Sequence, residues 1–342
     1  MYAMRPPRVG HTAGRPIRAF RRRGPARRRP GRCRHPRRRR HRGAGRLTSR
    51  PAMEARVRLG VPSRATRAAH GTRDAGFFGP GSLGWRIDRE VMVLAGATAA
   101  FLLQLADPAV AAGVAQHSNF REDPYGRLRR TLVSTFSVAF GTTRRAEAAI
   151  GHLNAIHRSV SGTVAESGDP YQALDPVLLL WVHATLIDTA LRIYDRYVEP
   201  LSVEEMDAYL RESRPVATRL GVPDELFPDT VVGLRRWMAE RVASGAVHVT
   251  PTARALSESV LYPSRFPPRF VWTAVHLVSF SVLPPQILRA YGIRWGARRT
   301  RAMRRVAAVT RILLPLVPAS LRYVPAWHSA RRRALAAASE SS

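Results

Sequence analysis

The sequence predicts an all-α fold, on three observations. After residue 76, apolar residues recur at the helical period of 3.6 through most of the chain. Helix-start signals stand before several of those runs: Asp107-Pro108, Asp175-Pro176, and Ser202 with Glu205 three residues on. The apolar/polar alternation of half-buried strands is weak everywhere. Helices with one apolar stripe must bury it on other helices, so a single helical domain is the natural architecture. No internal repeat is visible.

The length of 342 residues allows one large domain or two small ones. The expected division is a disordered basic tail over 1–75, a helical domain over 76–330, and a flexible C-terminus over 331–342. The tail contains GRPIRAFRRRGPARRRPGRCRHPRRRRHRG. Like charges repel there, Pro and Gly break helices, and apolar residues are too few for a core. The whole chain carries 56 basic against 24 acidic residues, a formal charge of +32, and every cation is arginine because lysine is absent. With abundant Ala, Gly and Pro, that usage points to a GC-rich coding sequence rather than to selection for phosphate. One reading makes the tail an arm for nucleic acid or an anionic membrane. Its only stacking aromatics are Tyr2 and Phe20, so nucleic acid is not the expected partner. The plainer reading is preferred: the protein starts downstream, for example at Met53, and the tail is a gene-model artefact.

Cys33 is the only cysteine. It excludes a disulfide within one chain and any zinc or iron–sulfur site built on several thiolates. A metal would have to be carried by histidine. The basic N-terminus lacks the apolar core of a secretory signal, so the expected compartment is the cytoplasm, with contact to a membrane surface left open.

In chain order, GFFGPGSLG over 76–84 is turn-rich. The apolar run EVMVLAGATAAFLLQLADPAVAAGVA follows. Its stretch from Val91 to Ala106, about 16 residues, falls short of the ~20 that span a bilayer. It reads as a buried helix broken at Asp107-Pro108 and resumed to His117. Two helical patterns separated by Gly141 fill 123–162, and SGTVAESGDPYQALDP is expected to be a loop. VLLLWVHATLIDTALRIYDRYV is apolar almost all round in its first half and should run through the middle of the domain. Asp188 and Arg192 are a favourable i,i+4 pair on it. The loop LGVPDELFPDT leads to the helix VVGLRRWMAERVAS. Two Pro-broken apolar runs close the chain: VWTAVHLVSFSVLPPQIL, with His276 inside, and VAAVTRILLPLVPASLRYVPAW. Each suits a buried helix or an interfacial one lying on a membrane.

The stretch 123–162 carries the candidate chemistry. Arg127 and Thr131 are four apart and share a helix face. In the next helix Ala146, Ala149, Ile150, Leu153, Ile156 and Val160 form an apolar stripe, and His157 falls inside it. An inward imidazole opposite an inward Arg/Thr pair could enclose a haem. The blander reading is a core histidine bonded to a carbonyl. His183, in the buried half of the central helix beside Trp181, is a second candidate for such a pocket, again with a satisfied core histidine as the plainer reading. A non-haem site from His117, His152, His157 and His183 is the weaker enzyme reading, since His152 and His157 are poorly spaced for one face and no H-E-x-x-H motif occurs.

The segments GWRIDREVMVLAG, LLQLADPAVAAGVAQHSNF, DPYGRLRRT, FGT, IHRSVSG, YQALDPVLLLWVHATLIDT and YVEPLSVEEMDAYLRE followed by LGVP occur in one order between about Gly84 and Leu226. Together they resemble the family of MpaB-type and latex-clearing rubber oxygenases. The resemblance implies a globin-related helical fold around a b-type haem. By position His157 matches the proximal ligand of the haem iron, and Arg127 and Thr131 match the polar pair near the haem. His117 is the nearest candidate for a further polar catalytic group on that side. The implied partners are dioxygen and a hydrophobic small-molecule substrate, with peripheral contact to a membrane as a further expectation. The implied reaction is an oxygen-dependent oxidation. Two alternatives stand beside it: a helical non-enzymatic protein that binds nucleic acid or an anionic membrane through its arginine-rich tail, and a family member that keeps the fold without haem.

Overall fold

A computed structural model describes residues 74–118, 124–261 and 268–339 of the chain. The expected tail, apart from its last two residues, lies outside them. The first elements are α1 (Leu83–Asp88), α2 (Val91–Leu94), α3 (Ala97–Leu105) and α4 (Pro108–His117). Ser82 caps α1 by accepting from Trp85 N. The long apolar run is thus divided twice. The break at Asp107-Pro108 falls where expected, and there the chain bends by 104°. Asp107 accepts from the Ala109 and Val110 backbone N–H groups, with Pro108 at the first helical position. At the earlier break, Gly96 lets the backbone approach the later core helix closely. A Cβ there would come within 2.7 Å of Thr189 Cγ2 and 2.8 Å of Ile193 Cγ1.

Helices α5 (Pro124–Phe140) and α6 (Thr143–His157) form a hairpin through Gly141 and Thr142. Asp74 ties the start of the described chain to this turn. Its carboxylate accepts from Thr143 N and Oγ1, both at 2.7 Å, and from Gly76 N at 2.9 Å. The expected loop after α6 contains a two-stranded antiparallel hairpin, β1 (Ser161–Thr163) with β2 (Pro170–Gln172), in register Gly162 opposite Tyr171. The all-α expectation is corrected to a mostly helical fold with this one β-hairpin among the described residues. Gln116 on α4 holds the hairpin. Its Nε2 donates to Thr163 O at 2.8 Å, and its Oε1 accepts from the Tyr171 hydroxyl at 2.9 Å. Those contacts are not adjacent in sequence, so local pattern could not show the strands.

Helix α7 (Pro176–Tyr197) is the core helix. Asp175 caps it and Pro176 opens it, as expected. It is long and apolar enough to cross a membrane, yet 72% of its apolar window is buried inside the fold. Helices α2, α3, α8 (Val203–Leu220), α9 (Val231–Ala243) and α13 (Ala297–Leu313) cover it. The Ser202/Glu205 capping box starts α8. Glu212 of α8 accepts from the Leu83 and Gly84 N–H groups, which places a carboxylate at the N-terminus of α1. Asp188 on α7 is buried and accepts from Arg192 Nε at 2.6 Å and Arg235 Nε at 2.7 Å.

The remaining elements are α10 (Pro251–Leu261), α11 (Arg269–Phe280), α12 (Pro285–Ala290), α14 (Ala319–Arg322) and α15 (Pro325–Ser339). The chain from 331, expected to be flexible, continues α15 to Ser339, and the Arg333 guanidinium donates to Phe140 O. Trp327 and Ala330 of α15 pack with Phe78, Trp85, Phe140, Ile150 and Val216 in a second apolar cluster.

Glu90 and Arg322 join the two ends of the fold. Arg322 Nε and Nη2 donate to the fully buried Glu90 carboxylate, the shortest contact being 2.8 Å. Removing one partner of such a pair strands the other charge in the interior. The Arg322→Ala variant should lose roughly 3–5 kcal/mol of stability, read as a lowered urea midpoint. A loss below 1 kcal/mol would mean the pair does not anchor the C-terminal helices.

Candidate functional site

The α5–α6 hairpin carries the candidate residues. A two-residue connection makes its helices antiparallel neighbours. Counted outward from the turn, Arg127 and His157 stand at nearly the same level, about 21 Å along at 1.5 Å per residue. Thr131 lies one turn closer to the bend. The Arg127 side chain falls outside the described part of the structure, so its expected direction does too. Thr131 is exposed, as is Val133 two residues later.

His157 occupies the last turn of α6 and is half-buried. The stripe it belongs to is only partly inward. Ala146 and Ile150 are buried, Ile150 in the second cluster, while Ile156 is 45% exposed. The His157 Nδ1 atom is buried and has no hydrogen-bond partner among the described residues. Burial pushes the imidazole pKa below its ordinary value. A ring nitrogen left unpaired away from water costs on the order of 1–3 kcal/mol, which a ligand at that edge would relieve. A desolvated imidazole with an unmet ring nitrogen has the chemistry by which histidine would hold a metal such as a haem iron.

Asn154 sits one turn earlier on the same side of α6. Its Nδ2 donates to Arg219 O at 2.8 Å, which pins the end of α6 to the end of α8. Its Oδ1 is also buried without a partner among the described residues. Two orphaned polar atoms three residues apart make this the site's second notable residue. Sequence reading passed over it, although the Asn154/His157 spacing was the available signal.

His117 ends α4 and is exposed. Its Nε2 lies 3.0 Å from Ser161 O, and Ser161 follows His157 by four residues. The β-hairpin therefore ties His117 to the segment leaving α6. Gly162 leaves room for the neighbouring Gln116, since a Cβ there would stand 2.4 Å from Gln116 Oε1.

His183 is placed differently. It is buried on α7, its Nε2 is 3.1 Å from Ser213 Oγ, and its ring packs beside Phe227 at 5.9 Å. That is the plainer of its two readings, a bonded core histidine. His276 is likewise buried, with Thr98 Oγ1 3.3 Å from Nδ1 and Leu261 O accepting at Nε2. Among the described residues no three His, Cys, Asp or Glu groups come together as a metal site. The four-histidine arrangement is therefore not formed, and a metal held here would hang on one imidazole.

A mostly helical domain, with a solitary desolvated histidine at the open end of a helical hairpin, is the class this geometry defines. The chain belongs to the family described as ER-bound oxygenase mpaB/B'/rubber oxygenase, catalytic domain, which matches residues 85–312. An uncharacterised protein of Mycobacterium bovis and one of Mycobacterium tuberculosis are each 26% identical to it over 225 residues, covering 64% of this chain and 87% of theirs. No solved structure matches the chain.

Burial lowers the His183 pKa to about 4, against an ordinary value of 6.5. The unfolded chain then takes up a proton that the folded chain refuses between those values. The stabilising contribution is complete above pH 6.5 and disappears as pH falls towards 4. Unfolding measured by urea from pH 7 to 4 should show this slope, and His183→Leu should flatten it. An unchanged slope would place the acid sensitivity elsewhere.

Proposed function

We propose that this protein is a haem-b-dependent oxygenase acting with dioxygen on a hydrophobic small molecule, and that His157 would hold the haem iron. The observation that carries the reading is the buried, partnerless Nδ1 of His157, at the position that matches the family's ligand. When bound, the haem supplies the redox chemistry by which dioxygen attacks an otherwise inert apolar compound.

The protein's own groups have separable tasks. Burial disfavours the protonated ring of His157, which favours the form that has a lone pair to give a metal. Arg127, level with it across the hairpin, brings a charge that persists at any working pH and orients polar atoms near the reacting centre. Thr131, one turn away, offers a hydroxyl on an open helix face. Val133 and Ile156 expose apolar surface on the same hairpin, which suits an apolar substrate better than a charged one. Asn154 positions the end of α6 through its bond to Arg219 O.

Protein purified after growth with a haem precursor should show a Soret band. His157→Ala should lose most of that band while keeping the helical circular dichroism. Arg127→Ala should keep the band and lose about a hundredfold in oxygen consumption with an apolar substrate, the usual scale for one electrostatic donor. A folded sample that stays colourless when haemin is added ends the reading and favours a fold-retaining member without haem.

A further inference from the structure

We propose that the surface formed by α13 and the turn after it docks on an anionic lipid membrane. The inference is independent of the haem reading and rests on three features of one face.

The first is a run of exposed apolar side chains. α13 buries Met303 and Ala307 against the core. Its opposite face carries Val309, Ile312 and Leu313, and Leu316 follows in the next turn, all exposed, Ile312 at 71% and Leu316 at 77%. Their spacing of three and four residues keeps them on one side. Single exposed leucines are ordinary, but a contiguous helical stripe is not.

The second is charge on the same face. Arg298, Arg301 and Arg305 precede that stripe at the same helical spacing and are exposed. Among the described residues none of the three pairs with a carboxylate. The helix face is therefore cationic over its first half and apolar over its second. That order suits a helix whose apolar end enters the acyl boundary while its arginines lie among phosphates.

The third is a pocket at the cationic end. An open space of about 850 Å³ is lined by Arg289, Arg294, Arg299 and Trp295, together with Arg298 and Arg301. No acidic residue stands in the first turn of α13, and its N-cap Gly296 offers no side chain. The helix N-terminus thus adds its own partial positive charge to the guanidinium cluster. Trp295 keeps its Nε1 bonded to Thr300 Oγ1 at 3.1 Å and presents a ring of the amphipathic kind that settles at membrane interfaces.

A membrane explains both halves of the face. Nucleic acid would engage the arginines and leave Ile312, Leu313 and Leu316 in water. A second copy packed parallel would set the two arginine rows against each other, and one packed antiparallel would lay arginines on the partner's apolar stripe.

The test uses the full chain with Cys33→Ser, labelled with an environment-sensitive fluorophore at Leu313→Cys or, as a control, at exposed Ala148→Cys on α6. Vesicles of phosphatidylcholine with a minority of phosphatidylglycerol should shift the Leu313→Cys emission to the blue and leave the Ala148→Cys emission unchanged. Arg298→Gln with Arg301→Gln and Arg305→Gln should raise the lipid needed for half the shift by about a hundredfold, from about fivefold per arginine. Ile312→Asp, at an exposed site, should abolish the shift with unaltered circular dichroism. The proposal falls if no vesicle moves the label, which is also the result if only the arginine-rich residues before 75 attach. It falls equally if pure phosphatidylcholine acts as well as the charged mixture. A shift given by duplex DNA, or by raising protein concentration without lipid, overturns it in favour of nucleic acid or a second copy.

Discussion

A helix that is apolar on nearly every side has to be covered on every side. Helix α7 imposes that condition on the rest of the chain. Its 22 residues bury Trp181, Leu191, Ile193, Tyr194 and Tyr197 almost completely. The flanking run cannot remain one straight helix and still wrap it, so the chain bends by 104° at Asp107-Pro108 and yields at Gly96, where the backbone nears Thr189. The buried carboxylate of Asp188 on this helix is tolerated because two guanidiniums hold it. Trp181 turns its Nε1 to Leu103 O at 3.1 Å, so the same helix satisfies its own polar atom on the helix that covers it.

That arrangement leaves the α5–α6 hairpin in a different position. Its buried Ala139, Phe140 and Ile150 belong to the second cluster, with α1, α8 and α15, rather than to the cover of α7. Its far end, where His157 lies, is held by a few directional contacts: Asn154 to Arg219 O, and the β-hairpin that ties in His117. Sites that must admit a ligand are drawn from such less densely packed regions. The partnerless Nδ1 of His157 belongs to the same logic, because a dense core would have excluded or satisfied it.

Local chemistry was legible in the sequence wherever its cause was local. Asp107, Asp175 and Ser202 cap helices because their oxygens reach N–H groups two or three residues ahead. The central place of α7 follows from its composition alone. The β-hairpin was hidden because Gln116, about 45 residues before the strand it holds, supplies its support. The continuation of α15 depends on Arg333 reaching Phe140 O, a contact that only the folded chain can make. At the site, periodicity put His157 on the inward stripe and the ring is half-buried, but the same periodicity put Ile156 there, and it faces out. The partner of His183 is Ser213, 30 residues away, which no spacing rule could find.

Arginine usage bears on how the outer surface should be read. With 56 basic and 24 acidic residues, at least 32 cations cannot have a carboxylate of their own. An unpaired arginine is therefore the ordinary state in this chain and carries little meaning by itself. Several solve the problem by donating to backbone: Arg311 to Asp195 O at 2.7 Å and Arg196 O at 3.0 Å, and Arg333 to Phe140 O. These act as structural ties, which the planar guanidinium suits. Arg298, Arg301 and Arg305 differ for another reason than lack of a partner. They continue, turn by turn, into an exposed apolar stripe that solvation alone does not account for. Composition can place arginine anywhere on such a protein, but it does not set Ile312 and Leu316 in water on the same side of the same helix. The apolar half of the face, and not its charge, is what requires a partner.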